Sequence, residues 1–424
     1  MAKLTAARLR KSQIAMLATF IFMGHAALSS VAWVPEYIDR LGVSFAEWGT
    51  IIGFGIIGSI APLFFASRLI MRFSSRMIIR WGIYGGMVML VLLGLSTEPA
   101  IWFFINMGFN FFMSLVGVAV NSHAVLIQKQ IKINVMGRFH AGWAVGAVAA
   151  AISGGLSTVF LSLEVFLVAV AIITLVVFEF CYRWLLNGQE DGHIEEKALV
   201  VKRKFYQFPP QLALLALGMF FGVFPEVVII DWAAVFARDI LNLDLALRSI
   251  PFATFMSGMI IGRLSLTRWA KRFPPNLIAS RGAFIAAGAF AVTALVAAPL
   301  AAINQYLGLA VSGALWLIAG LGLSSLAPVF SSAAGHIPGV STSWALSSIS
   351  LFSSSVTVLA KTLMGALAQG VGLPLAFFFP ITLAIGAGFI AATFAKQARR
   401  SELADAAPPT GPISVIIVDE EGRA

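Results

Sequence analysis

Cysteine is almost missing from this chain: Cys181 is the single one in 424 residues. One thiol excludes an internal disulfide and a cysteine-ligated metal cluster. Set inside an apolar run, it reads as inert packing. Charge is scarce as well, at 11% of residues, against about 25% in a soluble domain. Acids are fewer than bases, 19 against 29, so the formal net charge is +10. Enzyme signatures are lacking too. There is no Gly-x-x-x-x-Gly-Lys-Ser/Thr phosphate loop and no Gly-x-Ser-x-Gly elbow, and the five histidines are scattered without metal-site spacing. Neither catalysis, a cofactor nor a bound metal is expected.

Hydrophobic sequence is what the chain has in abundance, at 59%. It comes in runs of about 20 residues, the length a helix needs to cross ~30 Å of hydrocarbon. Twelve runs can be placed, over roughly 12–36, 48–69, 78–96, 100–127, 138–160, 163–187, 211–238, 248–268, 277–298, 304–330, 341–367 and 372–395. The first follows Lys3, Arg8, Arg10 and Lys11, as a signal peptide would, but it extends from Ile14 to Val34. That exceeds a signal core, so it reads as an uncleaved first span. The fold class expected is an all-α membrane protein with twelve transmembrane helices in two six-helix bundles. The bundles occupy 1–187 and 209–395, joined by a polar linker at 188–208 and followed by a disordered tail at 396–424.

The basic residues test this layout. With the N-terminus in the cytoplasm, 25 of the 29 Lys and Arg lie on the cytoplasmic side. The exceptions are Arg40, Arg238, Arg248 and Lys361. Such a bias places both termini in the cytoplasm. It also makes the positive charge a topology determinant in a lipid bilayer, not a nucleic-acid surface. The chain repeats itself, too. Arg68, Arg72, Phe73 and Gly82 line up with Arg268, Arg272, Phe273 and Gly282, and Gly58 with Gly258. Two halves on one plan are common in membrane transporters, with the substrate site at the seam between them.

Polar residues at membrane depth need a partner or water, which makes them the site candidates. In span 11, Ser343, Ser347, Ser350, Ser354, Thr357 and Lys361 share one helical stripe. Lys361 calls for a water-filled cavity or a carboxylate. In span 7, Pro225 is expected to break the helix ahead of Glu226, while Asp231 and Trp232 lie farther out. Glu226 and Asp231 are five apart and cannot both sit squarely on one face; either is a candidate proton carrier and a partner for Lys361. Span 1 places His25, Ser29, Ala32 and Glu36 along one face, with Trp33 available to stack on a substrate ring. Span 4 carries Asn106, Asn110, Ser114, Gly117 and Asn121 on a common face, suited to hydroxylated ligands or to helix contacts. Asn121, His123 and His140 lie toward the cytoplasm and suit gating more than central binding. In span 5, Gly142, Gly146, Ala150 and Gly154 form a small-residue ridge for close helix packing.

The arrangement resembles the major facilitator superfamily over nearly the whole chain. That family's loop signature is roughly G-x-x-x-D-R-x-G-R-R. Here the first copy reads Ser67-Arg68-Leu69-Ile70-Met71-Arg72-Phe73-Ser74-Ser75-Arg76, with Met71 in place of the acid. The second begins Gly262-Arg263-Leu264 and runs to Arg268 and Arg272, with Thr267 where related proteins often carry Asp. Gating roles for Arg72, Arg263, Arg268 and Arg272 follow from the resemblance, with the charge pairs weakened. More narrowly, three stretches resemble the bacterial branch of rhizopine-transport-like and fucose-permease-like proteins. They are Val120–Val125 with His140-Ala141-Gly142-Trp143, Glu226 with Asp231–Asp239, and Ala333–Gly339. That branch often has Gly-Pro-Pro in span 11, where this chain has Ala360-Lys361-Thr362.

The resemblance implies alternating access, with spans 1, 4, 7 and 10 lining the path in a monomer in the bacterial inner membrane. The expected cargo is a small polar metabolite, hydroxylated or anionic, probed by His25, Trp33, Asn110, Asp231, Trp232, Ser354 and Lys361. Protons coupled through Glu226 and Asp231 are the expected energy source. Two other readings share these features: a proton-driven exporter of amphipathic compounds, and a sensor or scaffold that keeps the fold without transport.

Overall fold

A computed structural model describes residues 4–131, 135–188, 190, 209–335, 337 and 342–405. Among them, twelve helices are long and apolar enough to cross a membrane. Spans 1 to 6 are Ala6–Leu41, Phe45–Phe73, Ser75–Leu95, Pro99–Ile131, Met136–Phe160 and Leu163–Tyr182. Spans 7 to 12 are Pro210–Asp239, Leu245–Leu266, Pro275–Ile303, Gln305–Gly335, Ala345–Val371 and Leu373–Phe394. Helices are the required solution, because hydrocarbon offers no partner to an unpaired backbone group. Short polar residues start several of them. Ser44 and Glu47 close a reciprocal capping box ahead of span 2, and the Asn304 side chain accepts from Tyr306 N and Leu307 N at the start of span 10.

Two bundles of six spans result. In the first, span 1 packs on span 5, and span 3 on spans 4 and 6; in the second, span 9 packs on spans 10 and 12, and span 8 on span 10. The internal repeat becomes a repeated packing joint. A methyl group on Gly58 of span 2 would run into the Met107 carbonyl of span 4, and one on Gly258 of span 8 into the Leu317 carbonyl of span 10. Each half therefore lets the same two helices touch backbone to backbone at the same glycine. The ridge in span 5 lies on span 1: Gly146 abuts the Ile21 carbonyl, and Gly154 approaches Ala32 and Ser29. It is a joint inside the first half.

Three local expectations change. Span 1 is not one regular helix. It runs Ala6–Leu28, tightens into a 3-10 segment at Ser29–Trp33, and resumes at Val34–Leu41. A 3-10 turn advances 120° per residue instead of 100°, so the face drawn through His25, Ser29, Ala32 and Glu36 is broken. Ser29 is buried against its own helix, and Glu36 is exposed at the rim. Span 7 passes through Pro225 unbroken as Pro210–Asp239. A helix in lipid retains every bond it can, and Pro225 removes only its own. The last helix runs Phe378–Asp405, into the stretch read as tail; the sequence there is rich in Ala, Lys, Gln, Arg, Glu and Leu, all strong helix formers. The rest of that tail, most of the linker, and His336 with residues 338–341 of the third branch stretch lie outside the described residues.

Candidate functional site

The seam between the halves is closed at the end away from the termini. There Arg238 at the close of span 7 donates to both oxygens of Asp39, at 2.9 and 2.8 Å, and to the Pro35 carbonyl. Phe45 N donates to Gln369 Oε1 at 3.0 Å, and the Phe45 ring meets Trp232 edge-on at 5.5 Å. Beside these, spans 2 and 11 cross at glycine. A methyl on Gly49 would come within 2.7 Å of both Gly365 Cα and the Lys361 carbonyl, and one on Gly53 within 2.6 Å of the Val358 carbonyl. Gly155 of span 5 makes a matching approach to Ser249 and Ala246 at the start of span 8. The bonds of Arg238 to Asp39 and Pro35, that of Phe45 to Gln369, and the crossings at Gly49, Gly53 and Gly155 all lie toward this far end.

Just inside the closed end sits the ion pair of the site. Lys361 Nζ lies 2.8 Å from Asp231 Oδ2 and 3.1 Å from Oδ1. Both side chains are nearly covered, 12% and 11% exposed. The sequence required a carboxylate for Lys361 and left two candidates; the geometry selects Asp231. Glu226 turns the other way and lies 3.7 Å from Arg263 of span 8, as five residues of separation demands. The pair with Lys361 is the tighter, and Lys361 is also the residue whose backbone carbonyl meets Gly49 across the seam. One turn of span 11 thus carries both the charge site and the inter-half crossing.

The other candidates take varied places. His25 Nε2 is hydrogen-bonded to Ser153 Oγ of span 5 at 2.9 Å. Asn110 Nδ2 donates to Asn106 O and Oδ1, and Asn121 Nδ2 to Gly117 O, so both amides spend donors on their own helix. Ser114 ties span 4 to the Ser59 carbonyl of span 2. Ser354 is half-buried, two turns from Lys361. Trp33 stacks on Phe166 of span 6, and Trp232 is fully buried against Phe45. Expected as substrate contacts, each ring lies against another aromatic ring in this conformation. His140 is exposed, with its ring edge-on to Phe20.

Of the four arginines assigned to gating, Arg263 alone meets a carboxylate among the described residues. Arg72, Arg268 and Arg272 are exposed, and Arg72 lies over the Phe73 ring. Met71 and Thr267 stand where the family signature carries an acid. Sequence reasoning passed over Ser153, Asp39 and Gln369. Arg238 had left a signal, as one of the four basic residues on the wrong side of the charge count. His123 is a buried buttress. Its Nε2 accepts from Leu186 N at 3.1 Å, which leaves Nδ1 to donate to Ser75 Oγ at 2.8 Å.

Twelve spans in two halves are the architecture expected of the major facilitator fold. Solved structures bear this out. A point mutant of the nucleoside transporter NupG superposes with a TM-score of 0.73 at 12% identity, over 91% of this chain and 99% of that one. A bacterial homolog of the human lysosomal transporter Spinster, inward-facing and occupied, gives 0.67 at 15% identity, over 95% and 98%. At those identities the likeness establishes the fold alone. In sequence, the chain is 25% identical over 361 residues to an uncharacterized MFS-type transporter of Yersinia pestis, covering 83% of this chain and 88% of the relative. It is 26% identical over 350 residues to an uncharacterized transporter of Sinorhizobium fredii, covering 81% and 88%. No protein-family model matches the chain. Fold and relatives together indicate a membrane transporter of the major facilitator type, and not an enzyme.

Proposed function

We propose that the chain is a proton-coupled secondary transporter of a small anionic metabolite, hydroxylated or not, with the Asp231–Lys361 pair at the centre of its cycle. The observation that carries this reading is the position of that pair: nearly buried, and on the same turn of span 11 that closes the seam. Lys361 is the receptor for a carboxylate or phosphate on the cargo. An anion that takes Lys361 displaces Asp231. A carboxylate left unpaired at that depth is costly, and a proton on Asp231 Oδ removes the cost. Glu226, loosely held by Arg263, is a second proton position. His25 with Ser153, and the amide oxygen of Asn110, are further contacts for cargo hydroxyls.

The halves then rock about the seam, exposing the pair to one side at a time. In the conformation described, the closed end is the one away from the termini. The bias of basic residues supports cytoplasmic termini, and on that reading this state faces inward. The narrower likeness to rhizopine-transport-like and fucose-permease-like proteins supports an inward flow of nutrient.

The test uses protein in liposomes under an imposed pH gradient, with proton uptake followed by an internal dye across a panel of sugars, sugar acids and phosphorylated metabolites. An anionic solute should drive proton uptake. Asp231→Asn should still exchange that solute across the membrane but fail to accumulate it. Full accumulation by Asp231→Asn, or proton flux confined to hydrophobic cations, overturns the reading.

A further inference from the structure

At the terminal face, the starts of spans 1 and 5 enclose a cleft of about 320 Å³, lined by Arg10, Gln13, Ile14, Leu17, Arg138 and Phe139 with Val135. We propose that this cleft binds the phosphate of an anionic membrane lipid, with Arg10 and Arg138 as its two cations. The proposal does not depend on the transport reading; it needs only that the chain spans a bilayer.

Unlike Arg8, Arg76 and Arg80, the two arginines have no partner among the described residues. Arg8 is fully used: it pairs with Glu190, donating from Nε at 2.9 Å and Nη2 at 2.6 Å, and also donates to the Trp184 and Leu185 carbonyls. Arg76 and Arg80 lie over the Tyr182 ring at 4.0 and 4.7 Å, and Arg80 meets Glu179. Arg10 and Arg138 are exposed and, among the described residues, meet no carboxylate. Two guanidinium groups on one cleft, one from each helix, match a phosphate, which accepts paired hydrogen bonds from each.

The remainder of the lining says where that phosphate comes from. Ile14 is 50% exposed, and Leu17 and Phe139 continue the apolar wall toward the helix joint. Phe139 stacks on Phe20 at 5.6 Å, and Leu17 packs at Gly142. A polar mouth with an exposed apolar flank fits a headgroup with its acyl chain; a free phosphate would use only the mouth. Basic clefts between spans are recognised lipid-headgroup sites. A lipid held there would bridge spans 1 and 5 where their glycine joint begins.

The full-length protein is placed in nanodiscs of phosphatidylcholine with and without phosphatidylglycerol, and its thermal unfolding is followed, with native mass spectrometry counting retained lipid. Phosphatidylglycerol should raise the melting temperature and stay bound. Arg10→Gln and Arg138→Gln, made singly so that at least one folds, should each weaken lipid affinity roughly tenfold, the effect of losing one charged hydrogen bond. The pair Arg68→Gln with Lys271→Gln removes charge from the same face outside the cleft and should leave the shift intact. An undiminished shift in the cleft variants, or an equal loss in the control pair, overturns the proposal. If inorganic phosphate in pure phosphatidylcholine reproduces the whole shift, the lipid assignment is wrong.

Discussion

The Asp231–Lys361 pair shows how unequal its possible losses are. Breaking a covered pair by removing one partner costs ~3–5 kcal/mol, because the other charge stays behind. Replacing both by neutral residues costs far less. Lys361→Ala is therefore expected to lower the melting temperature more than the double variant Asp231→Asn with Lys361→Gln. Equal losses would mean that the pair is hydrated and contributes little. Glu190 offers a residue test outside the spans. Its hydrogen bonds to Arg8, with a further one from Asn187 N, hold its carboxyl below the ordinary 4.5. A depressed folded value stabilises the protein above the unfolded value, and that contribution is lost as pH falls through the folded one. Glu190→Gln should thus narrow the gap to wild type as a melting series descends from pH 7 to below 4.5; a gap constant with pH would remove Glu190 from the acid response.

How far such residues could be read from sequence depended on whether one helix sufficed. Lys361 announced its need for a carboxylate, because an unpaired cation at that depth is untenable. Which acid answers is set by how spans 7 and 11 face each other, and spacing along one helix carries no such information. The same holds for Arg263, read within a loop signature but paired with Glu226, and for His25, whose partner Ser153 is 128 positions away.

At the scale of elements, the spans themselves were legible, since their length and apolarity follow from the bilayer. Interruptions were not. Proline in span 7 suggested a break that the helix does not make, while span 1 tightens at Ser29–Trp33 without a proline to mark it until Pro35. The glycines repay closer reading, because identical spacing serves two purposes. Gly146 and Gly154 fasten spans 1 and 5 within one half; Gly49, Gly53 and Gly365 meet across the halves. Gly49→Val should leave each bundle folded and hold the far end apart. In a Cys181→Ser background, an impermeant maleimide should then label the Ser249→Cys variant several-fold faster. Ser249 is 4% exposed and lies at the other crossing, so faster labelling reports the halves moving as bodies. An unchanged rate with normal melting would mean that the spans 2–11 crossing does not control closure.

For the whole molecule, the sequence repeat, the glycine joints and the charge bias agree on two halves of one plan. They do not specify which end of the seam is shut, because that depends on contacts between residues far apart in the chain, such as Asp39 with Arg238. That latch is partly open to the medium, with Asp39 65% exposed, so it is the element that dissolved ions can reach. The screening length falls from about 10 Å at 0.1 M to about 3 Å at 1 M salt. Labelling of the Ser249→Cys variant should rise over that range, and Asp39→Asn should abolish most of the salt response; a flat response would assign closure to packing alone.

The glycine crossing beneath the latch has a different consequence. Gly49, Gly53 and Gly365 touch span to span through backbone surfaces, with no hydrogen bond between these glycines. Parting such a contact strands no donor or acceptor, so the work of separation is dispersion alone, spread over many weak atom pairs. The seam is in this respect built like an adhesive strip and not like a riveted plate. It peels progressively, with its tightest polar fastener at the rim, where water is ready to replace whatever the latch releases.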